Sequence, residues 1–472
     1  MKALKHTKYD DFPRVWLMIP IETKAREYHA KLLLSCVAAE RGFGVILGHK
    51  GALTSNVRFL PRGILFGNNI MTDMKARFAR YREMGHTIAA WCEEGIAYRN
   101  RQSYRHERVS SGAMAQAAVF FAWGDYHAED VRRAIALSDR AKVVPSGSPR
   151  LDLLRPRFRE FYREDAQRIR ERHGRIVLVN TNFHRYNHFL GRGAYLQGLK
   201  DRGKVPNAKR EAFFQQWIAF LGEMYKAFAK MLGPLSAALP DHTIVLRPHP
   251  SENHDAWKEE VKGLPNVKVL HEGGSLPWIL ASEVVIHNSC ATGIEAFGMG
   301  VPAVSYRPLT SETYDSFLPN AVSREVFKVQ DLVEVVKALV SDELFEKSEL
   351  DREKRRLAQH FFSGLEGKLV SESIVDSLEQ LDARPTPFAA TPVHALARDL
   401  TFRGILPTWA LLQRLVRGAN PHAAYLQQKF PSLGLSEVQS DLNRLQKVSG
   451  QFENVGITEI CESLFCVTAR AG

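Results

Sequence analysis

Residues 14–47 of the chain read RVWLMIPIETKAREYHAKLLLSCVAAERGFGVIL. The apolar run at residues 14–19 predicts a buried strand, and residues 24–40 carry apolar side chains at helical spacing, among them Leu32, Leu33 and Val37. Gly42 marks the end of this helix, and a second apolar run follows at residues 43–47. A strand, a helix and a strand in this order predict a βαβ unit and therefore a parallel sheet.

The same alternation continues on both sides of a connecting helix at residues 155–173. Before it, strand-like runs occur at residues 63–66, 86–91, 119–123 and 142–144, with helix-like stretches between most of them. After it, strands are predicted at residues 176–180, 243–246, 267–270, 284–286 and 303–306, and a helix at 213–232. The fold class is therefore α/β, with two doubly wound domains at residues 1–173 and 174–383 that face each other across a cleft.

The last part of the chain breaks this pattern. Residues 384–392 read RPTPFAATP, and prolines among small residues are typical of a linker. Helix-like stretches follow near residues 394–402 and 435–448. We therefore expect residues 384–472 to form a linker and a mainly helical tail, which carries no chemical motif.

Composition limits the class of protein and its partners. The chain has 472 residues, of which 45% are hydrophobic and 25% charged, and it has no apolar run of 18 residues and no secretion signal at its start. We therefore expect a cytoplasmic protein. Its 5 cysteines are too few and too scattered for a disulfide framework. The net charge of +12 favours an anionic partner, such as a nucleotide, an acidic glycan, a membrane face or nucleic acid, and does not choose among them.

Several metal-dependent and nucleophilic chemistries lack their motifs. The sequence contains no Asp-x-Asp pair, Gly-x-Ser-x-Gly elbow, P-loop or His-Glu-x-x-His. We therefore expect a mechanism without a bound metal and without a cofactor.

A pair of carboxylates follows the strand at residues 86–91. Glu93 and Glu94 are adjacent, so in a partly desolvated site at least one of them is expected to have a raised pKa, which suits a general base. Gly95 permits a tight turn and close approach of a substrate. The alternative interpretation is a solvent-exposed acidic turn.

A histidine between two prolines ends the strand at residues 243–246. The sequence Arg247-Pro248-His249-Pro250 restricts the backbone, so the imidazole is presented in one direction. A protonated His249 would bind a leaving phosphate and pass it a proton, and Arg247 would add charge. The alternative is a structural histidine that satisfies the backbone groups of a turn.

A third element, residues 284–295, runs from a strand through Asn288 and Ser289 into a helix. The free N–H groups at the start of a helix favour a phosphate, and the hydroxyls of Ser289 and Thr292 add hydrogen bonds. Glu295 lies three residues after Thr292 and matches a capping box. Glu295 would either complete that box or accept hydrogen bonds from a ribose.

Two further groups of residues follow the first strand of each domain. Asn180, Thr181 and Asn182, with His184, are expected to line the cleft or to be ordinary turn residues. Glu22 and Arg26 would contact an acceptor or pair with each other as an i,i+4 salt bridge on a helix.

Together these motifs resemble those of bacterial sialyltransferases and related enzymes that use CMP-activated acidic sugars, which have the two-domain GT-B fold. More closely, IPIETKARE at 19–27, SGSPRLD at 146–152, VNTNF at 179–183 and LRPHP at 246–250 are similar to the family of surface carbohydrate biosynthesis proteins. The resemblance covers residues 14–310. It implies a base at Glu93 or Glu94, His249 as phosphate ligand and acid, and a CMP phosphate at the Ser289 turn. The chain departs from the sialyltransferase pattern at Cys290, where a second hydroxyl residue is usual.

The resulting interpretation is an inverting, metal-independent glycosyltransferase. It would move an acidic sugar of the nonulosonic acid or Kdo type from CMP to a glycan or lipid-linked acceptor for surface polysaccharide. Pro250 and Asn288 are further nucleotide-binding candidates. Peripheral contact with the inner membrane face would follow from the positive charge, and nucleic acid is not expected as a partner. The alternatives are a CDP-glycerol-type polymer transferase, an enzyme resembling UDP-sugar 2-epimerases, and a non-enzymatic scaffold.

Overall fold

The computed structural model describes residues 13, 15–341, 350–383, 425, 428 and 430–469. They form two sheets, each built mainly from one of the two predicted domains. The predicted helix at residues 394–402 lies outside the described residues. None of the helices in the described ranges is both long enough and apolar enough to cross a bilayer.

The first sheet is parallel through its six N-terminal strands. Its order is β2-β1-β3-β4-β5-β6, which begins with the 2-1-3 arrangement of doubly wound folds. These strands are β1 (Trp16–Ile21), β2 (Gly44–His49), β3 (Ile64–Gly67), β4 (Thr87–Trp91), β5 (Val119–Phe121) and β6 (Val143–Val144). The side chains of Leu17, Met18 and Ile19 are all fully buried, because both faces of a parallel sheet are covered.

The second sheet has the strand order of a Rossmann fold. Its strands are β7 (Ile176–Asn180), β8 (Thr243–Arg247), β9 (Val267–Val269), β10 (Val284–His287), β11 (Ala303–Tyr306) and β12 (Arg324–Val326). They lie in the order β9-β8-β7-β10-β11-β12, which is 3-2-1-4-5-6 when the strands of this domain are counted alone. The expected GT-B-like class, two Rossmann-like domains on either side of a cleft, is confirmed.

Helices connect these strands. Those of the first half span Lys24–Glu40, Lys50–Asn56, Met74–Glu83, Arg101–Arg108, Ser111–Met114, Asp125–Ala134, Pro149–Asp152, Pro156–Arg159 and Arg163–His173. Those of the second half span Ala194–Asp201, Ala208–Ala238, His254–Glu260, Ser275–Ala281, Ala291–Met299, Phe317–Ala321 and Val329–Val340. Short 3-10 turns occur at Val57–Phe59, Leu137–Lys142 and Glu160–Tyr162. Each strand predicted from the sequence is present with its ends shifted by two residues or fewer.

The chain returns to the first domain after the second one. Helices Leu350–Phe361 and Val370–Glu379 follow the second sheet in sequence, yet the buried carboxylate of Asp152 accepts hydrogen bonds from the backbone N–H groups of Val370 (2.8 Å) and Ser371 (2.9 Å). Arg41, directly after the first helix, pairs with Glu379 at 2.5 Å. The domain boundaries at 173/174 and 383/384 stay predictions.

The described part of the tail also joins the first domain. Helix Leu435–Ser449 confirms the predicted helix at residues 435–448, and it precedes a hairpin of β13 (Val455–Cys461) and β14 (Leu464–Ala469). β14 pairs antiparallel with β2, so this hairpin extends the first sheet at its edge. The sequence analysis did not predict the hairpin, nor did it predict β12.

Candidate functional site

A cleft of about 1150 Å³ separates the two sheets. Its walls include the carboxyl ends of strands from both domains, where parallel α/β sheets bind ligands. Glu22 and Glu94 lie on the first-domain side, and Asn180, His249 and Ser289 lie on the second-domain side. The structure therefore places predicted site residues of both domains in one cavity.

The second-domain side is centred on the point where the strand order reverses. β7 and β10 are neighbours, and Val179 pairs with Ile286, so the two strands end side by side, at Asn180 and at His287. A crevice opens at such a reversal because the connections after the two strands run to opposite faces of the sheet. The motifs predicted to hold a nucleotide phosphate lie at this crevice.

Asn180, the last residue of β7, is a buried polar residue with an amide that is unpaired within the described ranges. Its side chain is 4% exposed and lines the cleft, and its Nδ2 has no hydrogen-bond partner among the residues that the structure describes. Thr181 Oγ1 donates to Glu252 (2.8 Å), and Asn182 Oδ1 lies 3.0 Å from His184 Nδ1. Because an unpaired buried amide costs free energy, Asn180 is suited to a ligand oxygen in the crevice.

His249 lies next to the crevice, at the end of β8. The backbone N–H of Ser251 donates to His249 Nδ1 (3.1 Å), so the neutral ring carries its hydrogen on Nε2. The ring of His184 stands 4.9 Å away, between ring centroids. His249 also lines the cleft, so its Nε2 is the nitrogen suited to donate to a bound oxyanion.

Glu252 holds the His249 loop, and the sequence analysis missed it. This carboxylate is fully buried and accepts hydrogen bonds from Thr181 Oγ1, the N–H of Phe183, Trp257 Nε1 and the N–H of His249. It therefore fixes the loop after β7 and the loop after β8 relative to each other. A glutamate after His-Pro-Ser was the available signal, but nothing in the sequence shows that two of its partners, Thr181 and Phe183, lie 71 and 69 residues earlier.

Arg247 and Pro250 flank His249 and are both engaged by other segments. Arg247 donates to the carbonyls of Glu272 (2.8 Å) and Gly273 (2.5 Å), and burial lowers its pKa to about 10. The carbonyl of Pro250 accepts a hydrogen bond from Gln428 of the tail. Both residues line the cleft, so phosphate binding by Arg247 and Pro250 stays a prediction.

The turn after β10 has a strained backbone. Ser289 has a φ of +46°, which non-glycine residues rarely adopt. Asn320 holds it there, since its Oδ1 accepts from the N–H of Ser289 (3.0 Å) and its Nδ2 donates to Ser289 Oγ (3.1 Å). Asn288 Nδ2 donates to the carbonyl of Tyr306 (3.0 Å). This turn leads directly into helix Ala291–Met299, so its first N–H groups lie at the crevice.

The capping-box interpretation of Thr292 and Glu295 is wrong. The N-cap is Cys290, and the described structure shows no side-chain hydrogen bond at this cap. Glu295 instead pairs with Arg150 of the first domain (2.5 Å) and accepts from Ser275 Oγ (2.9 Å). The carboxylate therefore connects the two domains at the floor of the cleft. A ribose hydroxyl bound to Glu295, as predicted, would compete with Arg150 for this carboxylate.

Glu93 and Glu94 have different environments. Glu93 is 9% exposed, accepts from Trp91 Nε1 (2.9 Å) and lies 2.8 Å from the Nζ of Lys31. The side chain of Glu94 is 41% exposed, lines the cleft and pairs with Arg26 at 2.7 Å. Of the two carboxylates, Glu94 is therefore the one available to a substrate in the cleft.

The expectation of a raised pKa is wrong for Glu94. The guanidinium of Arg26 holds the pKa of Glu94 well below its usual range, and Arg108 and Arg150 lower it further. The attraction of Arg26 outweighs the repulsion between the neighbouring carboxylates, and Glu93 is itself paired with Lys31. Glu94 is therefore ionised at neutral pH.

The predicted pair of Glu22 with Arg26 is absent from the described structure. Glu22 precedes the helix that begins at Lys24, and its carboxylate pairs with Lys50 at 2.8 Å. Arg26 is held by Glu94 and by Glu27 (3.3 Å). Both Glu22 and Arg26 line the cleft, so their contact with an acceptor stays a prediction.

A buried ion pair beneath Glu94 was also missed. Lys31 is 3% exposed and Glu27 is 1% exposed, and their charged atoms lie 2.8 Å apart. Although burial opposes ionisation, Lys31 and Arg26 lower the pKa of Glu27 to about 2. The spacing of Glu27 and Lys31 fits an i,i+4 pair on a helix, which is usually solvent-exposed. Here this pair fixes the turn that carries Glu93.

Replacing Arg26 by Met should make stability less dependent on pH. A carboxylate with a depressed pKa contributes stability that is present above its unfolded-state pKa and is lost as pH falls through its folded-state pKa. Without Arg26, the pKa values of Glu94 and Glu27 rise towards about 4.3, so this contribution shrinks. In thermal unfolding at pH 7, the melting temperature of Arg26→Met should be lower than that of the unmodified protein. This difference should narrow below about pH 4. Arg157→Met, at an exposed arginine, is the control, and an equal deficit at both pH values would contradict the assignment.

Comparison with known proteins shows similarity at the level of the fold. No family model and no curated protein matches the sequence. Among solved structures, a variant of the wall teichoic acid polymerase TagF soaked with CDPG is 12% identical, with 79% of this chain and 90% of that chain covered and a TM-score of 0.49. The UDP-GlcNAc 2-epimerase of Methanocaldococcus jannaschii is 14% identical, with coverages of 77% and 99% and a TM-score of 0.45.

A third solved structure is the Anabaena protein Alr3699/HepE in complex with UDP. It is 10% identical, with 78% of this chain and 100% of that chain covered and a TM-score of 0.40. At these identities and TM-scores, the three similarities say nothing about the substrate of this protein.

Proposed function

We propose that the protein is an inverting glycosyltransferase of the GT-B type that uses a nucleotide-activated sugar. The observation that carries this proposal is the facing arrangement in one cleft. Glu94 stands on the first domain, and His249 and the N-terminus of helix Ala291–Met299 stand at the strand reversal of the second. One side is suited to accept a proton and the other to bind a phosphate.

The donor phosphate would lie at the reversal between β7 and β10. His249 Nε2 and the N–H groups at residues 291 and 292 would bind its oxygens, and Asn180 Nδ2 would donate to the nucleotide. These donors stabilise the charge that develops on the phosphate as its bond to the sugar breaks. In other transferases a metal ion makes this contribution. Metal independence remains part of the proposal. Within the described ranges, no three His, Cys, Asp or Glu side chains are grouped as metal ligands.

The transfer would occur in one displacement. Glu94 accepts the proton of an acceptor hydroxyl while the oxygen attacks the anomeric carbon. The bond from that carbon to the phosphate oxygen breaks on the opposite face, and its electron pair leaves with the phosphate, so the configuration inverts. His249 donates to the departing phosphate. Because Arg26 makes Glu94 a weak base, the bond between Arg26 and Glu94 must loosen when the acceptor binds.

For the substrates, we retain a CMP-linked acidic sugar of the nonulosonic acid or Kdo type and a surface-polysaccharide acceptor. A single phosphate between sugar and nucleoside matches a site with one imidazole and one helix N-terminus. The net charge of +12 supports an anionic donor and work at the inner membrane face.

Calorimetric titration of CMP, CDP, UMP and UDP into the purified protein, with a chelator present, tests this proposal. We expect CMP to bind more tightly than the other three nucleotides. Preference for CDP would indicate a polymer transferase of the CDP-glycerol type, and preference for UDP would indicate an enzyme acting on UDP-sugars. The absence of nucleotide binding would contradict the proposed enzyme and favour a scaffold.

A further inference from the structure

A group of three arginines lines the same cleft beside the His249 site. Arg99, Arg185 and Arg210, here called the arginine cluster, all lie over aromatic rings on helix Ala208–Ala238. The Cζ atoms of Arg99 and Arg185 stand 4.4 Å and 4.1 Å from the centroid of Trp217, and that of Arg210 stands 4.6 Å from Phe214. Stacking on aromatic faces fixes the guanidinium planes while leaving their edges available for hydrogen bonds.

The arginine cluster has more positive charge than its neighbours balance. Glu107 pairs with Arg99 (2.8 Å) and with Arg210 (2.9 Å). Burial, together with repulsion from Arg185 and Arg210, lowers the pKa of Arg99. Three cations thus share one carboxylate, which leaves a surplus of two positive charges facing the cleft.

Arg185 is the member that internal structure does not explain. It forms no ion pair with any residue in the described ranges, and its buried Nε has no hydrogen-bond partner there. Trp217 and Tyr195 hold it from two sides, with Cζ-to-centroid distances of 4.1 Å and 5.4 Å. Ion pairs between the two domains would explain why Arg99, Glu107 and Arg210 lie together. Arg185 takes no part in these ion pairs.

The arginine cluster is next to the proposed transfer site and has room for its own ligand. Arg185 follows His184, whose ring is 4.9 Å from that of His249. Arg99 belongs to the segment that follows Glu94 in the first domain. The cleft of about 1150 Å³ exceeds the roughly 300–1000 Å³ of a typical site for one small ligand. A second group can therefore bind while a nucleotide occupies the crevice.

We propose that the arginine cluster is a second anion subsite, which binds a phosphate group carried by the acceptor. A phosphate dianion matches the surplus of two charges, whereas a single carboxylate leaves one of them unbalanced. Guanidinium forks bind phosphate oxygens in pairs, which places the acceptor as well as attracting it. This inference rests on the proposed function, because only a transferase needs an acceptor beside the nucleotide.

Binding of inorganic phosphate in the presence of saturating CMP tests the subsite, because CMP blocks the crevice at His249. Replacing Arg185 by Gln should raise the Kd for phosphate by about tenfold or more, since a charge-assisted contact is lost. The matched control is Arg157→Gln, which also removes an arginine near an aromatic ring (6.0 Å from Phe158) but outside the cleft lining. It should change the Kd by less than about twofold, and both variants should bind CMP like the unmodified protein.

The other outcomes are distinguishable. Unchanged phosphate binding in Arg185→Gln would overturn the subsite, whether or not the melting temperature of the variant changes. Tighter binding of glucuronate than of phosphate would overturn the phosphate assignment. If CMP does not bind, the proposed function fails, and the same variants titrated with phosphate alone still test the arginine cluster. Comparison of hexyl phosphate with glucose 1-phosphate then separates a lipid-borne from a sugar-borne group.

Discussion

Replacing Glu94 by Gln is expected to lower the kcat of sugar transfer by about 10²–10⁴-fold, the usual contribution of a positioned general base. Gln keeps the size of the side chain, and its carbonyl oxygen still accepts from Arg26, which is 2.7 Å away in the structure. The variant loses the negative charge and the ability to take up a proton, but it keeps the hydrogen bond to Arg26. Release of CMP from a CMP-activated nonulosonic acid measures the rate, and calorimetry should show unchanged CMP affinity.

Glu129→Gln is the matched control for this change. The side chain of Glu129 is 44% exposed and pairs with Arg101 at 2.6 Å, so it resembles Glu94 in exposure and pairing but lies outside the cleft lining. We expect it to retain full activity. If Glu93→Gln abolished transfer and Glu94→Gln did not, the base would be Glu93. Activity in both variants would contradict a carboxylate base at this turn.

Replacing His249 by Ala should impair binding and chemistry together. Loss of the Nε2 hydrogen bond to the phosphate is expected to raise the Kd for CMP by about tenfold or more. Loss of the same hydrogen bond to the departing phosphate is expected to lower kcat by about 10²-fold or more, because the bond stabilises the charge that develops in the transition state. Initial rates at saturating donor separate the two effects, because higher donor concentration restores occupancy but not kcat.

The control for His249 is His360→Ala, since His360 is exposed and packs against Tyr126 outside the cleft lining. It should leave both the Kd and kcat unchanged. If His249→Ala folds normally and binds CMP as tightly as before, His249 does not bind the phosphate. Its role would then be structural, within its own turn. Its Nδ1 already accepts from Ser251, which is the contact that such a role requires.

The arrangement of strands could be predicted because it depends on local sequence. Residues 176–180 and 303–306 are short apolar runs between breaks, and both are strands with the predicted bounds. The motifs at Glu93, His249 and Ser289 each follow such a run, so their position at the carboxyl edges of the sheets followed from the alternation. Their meeting in one cleft followed from the two-domain fold.

The partners of these motifs could not be predicted, because they are distant in sequence. Glu295 matched a capping box, yet its partner is Arg150, on the other domain. A raised pKa was wrong for Glu94, because Arg26 lies beside it, a contact across 68 residues. Hydrophobic periodicity predicts which side of a helix or strand is buried. It does not predict which distant charged residue will contact a given carboxylate.

The hairpin at the end of the chain shows the same limit. Leu464, Phe465 and Val467 are fully buried because they pair with or pack beside β2, more than 400 residues earlier. In the sequence they are a short apolar run with a cysteine inside it, after a helix that was correctly predicted. Only the open edge of β2 in the folded first domain determines that this run becomes a strand.

The central claim is that a donor phosphate binds at the strand reversal of the second domain, and a crystal structure of the protein soaked with CMP tests it most directly. We expect phosphate oxygens within hydrogen-bond distance of His249 Nε2 and of the N–H groups at residues 291 and 292, with Glu94 facing them across the cleft. A CMP phosphate bound elsewhere, or at the crevice without contact to His249 or these N–H groups, would contradict the account.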